Sequence, residues 1–159
     1  FVAPWQGGFG TTLTWKGISL AAQFSWVADR WVFNNDRYLD EGNGLFETYN
    51  QSRRLLYDRW KKPGDVTDIP RYGVTPQMDS RFLEDASFLR LKNLMLSYNF
   101  PQALLKKTNF LTHLRVFVQG QNLLTFTKFS GLDPEGVSNM YQAQYPSTRQ
   151  FTFGLEVSF

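Results

Sequence analysis

The 159-residue chain contains no cysteine and only one histidine, His113. Without cysteine there are no disulfide cross-links and no thiolate metal sites, and a lone histidine would need carboxylate partners to bind a metal. No run of about 18 apolar residues occurs, so no transmembrane helix is expected. The net charge is only +3, and the basic residues are scattered among acidic ones. We therefore predict no metal, no cofactor and no nucleic-acid partner.

The first residues, Phe1-Val2-Ala3-Pro4, also lack the methionine, basic segment and apolar segment of a secretory leader. We expect the chain to be a mature piece or an internal fragment of a longer protein.

Alternation of apolar and polar residues is what the sequence has in abundance, most regularly over its last nine residues. The apolar set there is Phe151, Phe153, Leu155, Val157 and Phe159. This period of two predicts a strand with one apolar and one polar face. A flat apolar edge strand is a hazard for a soluble domain, whereas a closed outer-membrane barrel has no edge.

A second regular strand is predicted over residues 18–33, after a strand over 8–15 and a tight turn at Lys16-Gly17. Its even-numbered positions are apolar as far as residue 28, and beyond Asp29 the phase shifts to Trp31 and Phe33. We interpret the shift as a bulge or as the exit from a bilayer.

Three further strands are predicted over residues 84–100, 112–128 and 147–159, with outer loops at 34–82 and 129–146. Helical spacing in the first loop predicts a helix over about 44–61, and a short helical turn is predicted over 101–107. Arg90 and Lys92 fall in phase with apolar residues, so we expect them near an interface, where long cationic side chains extend towards water. Short and long connections alternate, which puts short turns in the periplasm and long loops outside.

The fold class is therefore all-β: about five strands of an antiparallel up-and-down transmembrane barrel, too few to close one, which takes about eight. Lipid-facing positions are predicted at Leu20, Phe24, Trp26, Leu96, Val116 and Val118. Lumen-facing positions are predicted at Gln119, Gln121, Thr125, Thr127, Thr152 and Glu156.

Five motifs follow one another in the second half of the chain. They are residues 85–93 (DASFLRLKN), 98–101 (YNFP), 114–127 (LRVFVQGQNLLTFT), 131–135 (GLDPE) and 145–159. In this order they resemble the C-terminal end of SusC/RagA-type TonB-linked outer-membrane transporters of the Bacteroidetes. Residues 1–79 are similar in layout, including Arg59-Trp60 and the proline-containing loop that follows.

The resemblance implies a single-chain barrel of roughly 22 strands with a plug in its lumen. Such a protein imports oligosaccharides or peptides with energy from TonB, under a SusD-like surface lipoprotein that serves as a lid. The plug, the TonB-contacting part and the earlier strands would precede residue 1. The resemblance also implies that the ending formed by Phe151, Phe153, Leu155, Val157 and Phe159 is read by the barrel assembly machinery, and that lipid and lipopolysaccharide surround the barrel in the bacterial outer membrane.

Other interpretations remain open at this point. A soluble all-β carbohydrate-binding module would also be rich in aromatic residues, and the loop aromatics either contact glycan or the lid or pack within the loops. These aromatics are Tyr49, Trp60, Tyr141 and Tyr145. The basic set Arg53, Arg54, Arg59, Lys61 and Lys62 is either a solvated helical face or a contact for lipopolysaccharide or a partner.

Two acidic stretches, residues 40–44 and Glu84-Asp85, are candidate sites. Residues 40–44 carry oxygen ligands suited to calcium but lack the order of a twelve-residue calcium loop. The pairs Asp40-Glu41 and Glu84-Asp85 are adjacent carboxylates, which point apart in extended chain and do not bracket a glycosidic bond. We predict that the chain is not an enzyme.

Overall fold

The computed structural model describes residues 2–46, 48–106, 110–136 and 138–159. Among these, the strands in chain order are β1 (Trp5–Trp15), β2 (Ile18–Ala28), β3 (Trp31–Asn34), β4 (Leu83–Asp85), β5 (Phe88–Asn99), β6 (His113–Thr127), β7 (Met140–Tyr141) and β8 (Gln150–Ser158). The helices are α1 (Asn35–Asp40), α2 (Arg54–Tyr57) and α3 (Gln102–Leu105), with a 3-10 turn at Ser80–Phe82. Antiparallel β-structure thus dominates, as predicted.

The main sheet has the strand order β1-β2-β5-β6-β8, and every neighbouring pair is antiparallel. It is therefore an up-and-down meander. The β1–β2 turn is the predicted Lys16-Gly17 pair, with φ of 46° and 87° respectively. Gly17 suits this turn twice over, because its φ is positive and a Cβ there would lie 2.7 Å from the Asn99 carbonyl oxygen.

The first long connection leaves the main sheet at Asp29, earlier than predicted. Asp29 has a φ of 55°, and its carboxylate accepts a hydrogen bond from the Trp31 indole at 2.9 Å. The prediction of one continuous strand over 18–33 is therefore wrong beyond Ala28. The phase shift in the sequence marks the point where the chain leaves the main sheet. The residues after the bend form β3, the centre of a second sheet with the order β4-β3-β7. In it β3 pairs antiparallel with β4 and parallel with β7.

The helix predicted over 44–61 differs from the structure, whose described helical residues in that range are only those of α2, while Glu47 lies outside the described residues. Positive φ angles at Asn43 (51°) and Gly44 (99°) interrupt the chain there. Helix α1, which was not predicted, starts where the Asn34 side chain accepts the Arg37 amide hydrogen bond at 3.0 Å. The turn predicted over 101–107 is helical in α3, and residues 107–109 lie outside the described part of the chain.

A cluster of buried apolar side chains lies where the second sheet meets the second long loop, which connects β6 to β8. It consists of Val32, Ala86, Phe129 and Tyr141. A neighbouring aromatic cluster brings Tyr38 edge-on to Phe82, with ring centroids 5.3 Å apart. The loops thus fold as a packed layer at one end of the main sheet. Among the described residues, no helix is both long and apolar enough to cross a bilayer.

Candidate functional site

The two faces of the main sheet differ in chemistry, and the register assigns each side chain to one of them. Directly opposed residues of antiparallel strands share a face. Gln119 lies opposite Thr152, and Arg115 lies opposite Glu156. Further along β6, Thr125 lies opposite Arg90. All six predicted lumen-facing residues fall on this polar face: Gln119, Gln121, Thr125, Thr127, Thr152 and Glu156.

The opposite face is apolar from one edge of the sheet to the other. One row across it runs Leu13, Leu20, Leu96, Val118 and Phe153. Large side chains on this face are exposed, among them Phe9, Trp15, Leu124, Phe126, Phe151, Phe153 and Leu155. The register places the predicted lipid-facing residues Leu20, Phe24, Trp26, Leu96, Val116 and Val118 here. Phe159 follows β8, and its ring stacks on Phe110 with centroids 6.1 Å apart.

An irregularity at one level of the sheet corrects the prediction for Arg90. Gln23 lies opposite Asn93 whereas the next residue, Phe24, lies opposite Leu91, so Lys92 is an extra residue in β5. Next to it in β6, Asn122 has a φ of 52°. Because an extra residue reverses the alternation, Arg90 moves to the polar face opposite Ser25. The prediction that Arg90 shares the apolar phase is therefore wrong.

Arg90 is the centre of an ion network that fixes the second long loop to the polar face. Its guanidinium donates to Asp133, to Glu135 at 2.8 Å and to the Ser147 hydroxyl at 2.9 Å, with the side chain only 3% exposed. Lys92 Nζ lies 2.6 Å from both Glu135 carboxylate oxygens. The network spans both ends of the loop, because Ser147 lies just before β8.

The carboxylate of Asp133 accepts hydrogen bonds from several groups. Besides Arg90, the amides of Ser147 and Glu135 donate to its carboxylate at 2.7 and 2.9 Å. Burial alone would raise the pKa of Asp133, but these donors outweigh burial and hold that pKa well below its usual range. Asp133 therefore stays charged at any physiological pH.

A second ion network organises the loop layer around Glu41, whose side chain is 1% exposed. Glu41 accepts hydrogen bonds from Arg37 at 3.0 Å and from Arg54 at 2.7 Å. Arg37 also donates to Glu84 at 3.2 Å, and the hydroxyl of Ser130 donates to Glu84 as well. Burial would raise the pKa of Glu84, but the hydrogen bonds from Ser130 and Arg37 lower it on balance. Glu41 and Glu84 are thus structural ion-pair partners.

An open cleft of about 580 Å³, with several charged and polar residues in its lining, lies beside this network. Its walls come from α1, the start of α2, β4 and the second long loop; the lining includes Asn34, Asp36, Arg37, Asp40, Arg54, Ser130 and Leu132. Burial, together with the charges of Asp36 and Glu41, raises the pKa of Asp40 at the rim. Such a surface can hydrogen-bond polar solutes.

The predicted loop aromatics have different surroundings. Tyr141 is only 3% exposed, packs edge-on against Phe129 and accepts the Leu132 amide hydrogen bond at 2.9 Å, so its ring is part of the core and is not offered to a ligand. Tyr145 is 94% exposed and Tyr49 is also exposed. Trp60 is half-buried, with its backbone amide bonded to the Ile69 carbonyl at 3.0 Å.

Two candidate metal-binding positions can be located in the fold. His113 lies opposite Ser158 at the start of β6. Asn43, within the stretch compared with calcium loops, donates from its side chain to the carbonyls of Arg71 and Val74 at 2.6 and 3.1 Å. Within the described ranges, no three histidine, aspartate or glutamate side chains are grouped so as to hold a metal ion.

Sequence reasoning missed the Arg90 network and the contact between Phe117 and Gly154. The Phe117 ring leans across the polar face onto Gly154, its cross-strand neighbour, and occupies the space that a Cβ at residue 154 would need. The glycine in the middle of a regular strand was the available signal, since glycine there marks a close approach by another group.

Comparison with known proteins shows which class has this arrangement. The chain is 34% identical over 165 residues to the TonB-dependent receptor P3 of Formosa agariphila, covering 96% of this chain and 16% of that protein. It is 35% identical over 87 residues to the TonB-dependent receptor SusC of Bacteroides thetaiotaomicron, covering 55% and 9%. The RagAB peptide importer in its open-open state matches with 42% identity and a TM-score of 0.89, over 97% of this chain and 17% of that one. No family model matches the chain.

The relatives are thus TonB-dependent receptors, a class of outer-membrane transport protein. Within that class the chain belongs to the SusC/RagA type. It spans about a sixth of the length of these relatives, since it covers 16% of the P3 receptor and 17% of the RagAB chain.

Proposed function

We propose that the chain forms part of the barrel wall, the lumen lining and the outer loops of an outer-membrane TonB-dependent importer, as the C-terminal strands of its barrel. The observation that carries this proposal is the two-faced meander, in which a bare apolar face lies opposite a polar face. In water the apolar face would be costly, at roughly 25 cal/mol for each Å² left uncovered. Against acyl chains it needs no protein cover, while the polar side chains line an aqueous interior.

The membrane orientation follows from the connections. The β1–β2 turn is two residues long, whereas the connections from β2 to β5 and from β6 to β8 carry the second sheet and both ion networks. Short turns are typical of the periplasmic side of outer-membrane barrels and long loops of the outside. The folded loop layer therefore faces the medium, where cargo arrives, and the end of β8 faces the periplasm.

The cargo is an oligosaccharide or a peptide, taken up through the whole barrel. The charged and polar residues in the lining of the loop-layer cleft and the exposed rings of Tyr49 and Tyr145 support contact with polar solutes of either kind. Support for peptides comes from the RagAB relative, which is described as a peptide importer. The alternative, a soluble carbohydrate-binding module, gains no support from the relatives.

Several partners follow from the family. They are the remaining strands and the plug, a SusD-like surface lipoprotein over the loops, TonB through the part that precedes these strands, the assembly machinery, and lipid with lipopolysaccharide. The assembly signal is proposed to be the apolar set Phe151, Phe153, Leu155 and Val157 with Phe159, because the first four lie in one row along β8 on the apolar face.

Site-directed spin labelling tests the assignment of faces. This part of the protein has no cysteine, so a single cysteine can be placed at Val118 or at its neighbour Gln119 in the full-length protein, in a background free of other reactive cysteines. We expect the label at 118 to collide with oxygen dissolved in lipid and the label at 119 to collide with a water-soluble nickel chelate. Equal chelate accessibility at both positions would refute the membrane-wall assignment.

A further inference from the structure

The loop-layer cleft carries more negative than positive charge. Its lining contains four carboxylates and two guanidiniums. The carboxylates belong to Asp36, Asp40, Glu41 and Glu84, and the guanidiniums belong to Arg37 and Arg54. The charges that have no partner within the fold decide which solutes the cleft attracts.

Both guanidiniums of the lining are used in ion pairs within the fold. That of Arg37 lies 3.0 Å from Glu41 and 3.2 Å from Glu84. It also lies 3.2 Å from Asp68. The guanidinium of Arg54 lies 2.7 Å from Glu41 and 2.8 Å from Asp68. Two cations thus share three carboxylates, so the lining has no positive charge left over to attract an anion.

Two further carboxylates of the lining are not compensated by a cation. Asp36 and Asp40 are four residues apart in α1, so they lie on the same face of the helix. Among the described residues, neither of them forms an ion pair. The Asp36 carboxylate accepts only the backbone amide of Ala143, at 3.0 and 3.1 Å from its two oxygens. Negative charge is therefore in excess along this face of the cleft.

Glu41 contributes an independent sign of a missing donor. Its side chain is 1% exposed, and the hydrogen bonds from Arg37 and Arg54 both go to its Oε1 atom. Among the described residues, the buried Oε2 atom has no hydrogen-bond partner. A buried carboxylate oxygen without a donor is unfavourable, because it has lost water and gained nothing in exchange. A donor on a bound solute would restore that hydrogen bond.

The shape of the cleft suits an organic cation better than a metal ion. A metal ion such as calcium needs several oxygen ligands that converge on one point. Within the described ranges, no three acidic or histidine side chains are grouped in that way. The lining also includes Leu132, whose side chain is 74% exposed. A solute that carries a positive charge next to an apolar group would therefore find a partner for each.

We infer that the loop-layer cleft binds a primary ammonium group of a peptide, between the carboxylates of α1 and the free oxygen of Glu41, with an apolar side chain of the peptide against Leu132. The inference rests on the proposed function and narrows the cargo from an oligosaccharide or a peptide to a peptide. A neutral oligosaccharide can hydrogen-bond but carries no positive charge, so the uncompensated carboxylates of Asp36 and Asp40 would not attract it. The volume of about 580 Å³ is sufficient for a short segment of peptide.

The test measures binding of three synthetic peptides to the full-length receptor in detergent, by ligand-observed saturation-transfer NMR. The first is tetraalanine amide, which has a free N-terminal ammonium group. The second is its N-acetylated form, which is neutral. The third is an N-acetylated peptide amide of one lysine and three alanines, which carries its ammonium group on a side chain. Maltotetraose serves as a neutral oligosaccharide probe.

Asp36→Asn/Asp40→Asn removes the two uncompensated charges with little change in size, and an asparagine oxygen at residue 36 can still accept the Ala143 amide. The matched control is Asp65→Asn/Asp79→Asn. It makes the same charge change at two loop carboxylates outside the lining of the cleft, which also accept backbone amides, from Lys61 at 2.9 Å and from Arg81 at 2.8 Å. Heat-modifiable migration in gels checks that each variant is a folded barrel.

We expect wild type to bind tetraalanine amide about tenfold more tightly than the acetylated form, and Asp36→Asn/Asp40→Asn to lose about the same factor, because two partly exposed charge interactions are removed. The control variant should bind like wild type. Binding of tetraalanine amide to wild type should weaken as salt rises from about 50 to 300 mM, since exposed charges are screened over that range. Tight binding of the lysine peptide supports a side-chain ammonium group as ligand, and weak binding supports the N-terminal one.

Equal affinity of wild type for tetraalanine amide and its acetylated form overturns the inference, as does unchanged affinity in Asp36→Asn/Asp40→Asn or no saturable binding of tetraalanine amide. Displacement of this peptide by calcium chloride would assign the carboxylates to a metal ion and also overturn it. Binding of maltotetraose that is lost in Asp36→Asn/Asp40→Asn would assign the cleft to sugar. Each of these results leaves the proposed importer standing, because its membrane wall is tested separately by the spin labels at residues 118 and 119.

Discussion

Replacing Arg90 with leucine tests the ion network that fixes the second long loop. The guanidinium is 3% exposed and the Asp133 side chain 7%, so the variant leaves a carboxylate buried without its cation. Breaking a buried pair in this way costs about 3–5 kcal/mol. Two backbone amides still donate to Asp133, and Lys92 still pairs with Glu135, so the low end of that range, about 3 kcal/mol, is expected.

The readout is hydrogen exchange of the Ser147 amide, which donates to Asp133 at 2.7 Å. A local loss of about 3 kcal/mol corresponds to exchange roughly a hundredfold faster, since about 1.4 kcal/mol is a factor of ten. The full-length receptor in detergent is measured by mass spectrometry after peptic digestion, over peptides covering residues 129–149.

Arg115→Leu is the matched control. Its pair with Glu156 also lies on the polar face, but the two groups are 3.4 Å apart with side chains 28% and 56% exposed. Exposed pairs contribute about 0–1 kcal/mol, so little change is expected. Arg90→Leu/Asp133→Asn should recover part of the protection, because the unpaired charge is gone. Exchange in Arg90→Leu that matches wild type would refute the argument that this loop is fixed by buried charge.

Three further outcomes are expected. Trp26→Lys, on the apolar face, should lower the barrel's free energy of unfolding by about 2–4 kcal/mol if the residue lies near the bilayer midplane and by less near an interface; unchanged urea stability would contradict its facing. Phe159→Ala should reduce the amount of receptor in the outer membrane more than Tyr145→Ala does, which removes an exposed loop aromatic. Equal amounts of the two variants on immunoblots would argue against the assembly-signal role. The pKa of Asp133 is lower in the folded protein than in the unfolded chain, where it is about 3.9, so the charged carboxylate stabilises the fold fully above that pH and progressively less below it. Hydrogen exchange of the Ser147 amide, corrected for intrinsic rates, should therefore accelerate below about pH 4.

Period-two alternation grouped the six candidate lumen residues, and the register of the main sheet puts them on one face, because the side chains of a strand point alternately to its two faces. That this face lines a lumen stays a prediction. Gln119 and Thr152 come from different strands, yet the register brings them together as predicted. Thr125 also lies on the polar face, although β6 is irregular at Asn122.

The predictions that went wrong involve backbone conformations that side-chain patterns do not report. Lys92 is an extra residue in β5, and a single extra residue reverses the face of every residue beyond it, which here means Leu91 and then Arg90. The helix predicted over 44–61 relied on apolar spacing alone. The positive φ angles at Asn43 and Gly44 interrupt that spacing, and Leu55 is buried by tertiary contacts.

The contact between Phe117 and Gly154 bears on the width of the proposed transport passage. A phenyl group on the water side of a transport passage would ordinarily protrude and obstruct solutes. Here the Phe117 ring lies over Gly154 on the neighbouring strand, so under the proposed assignment of this face to the lumen the ring leaves the passage clear at this point. Any bulkier residue at position 154 would displace the ring from this place, and under the same assignment the passage would become narrower without any change in its outer diameter.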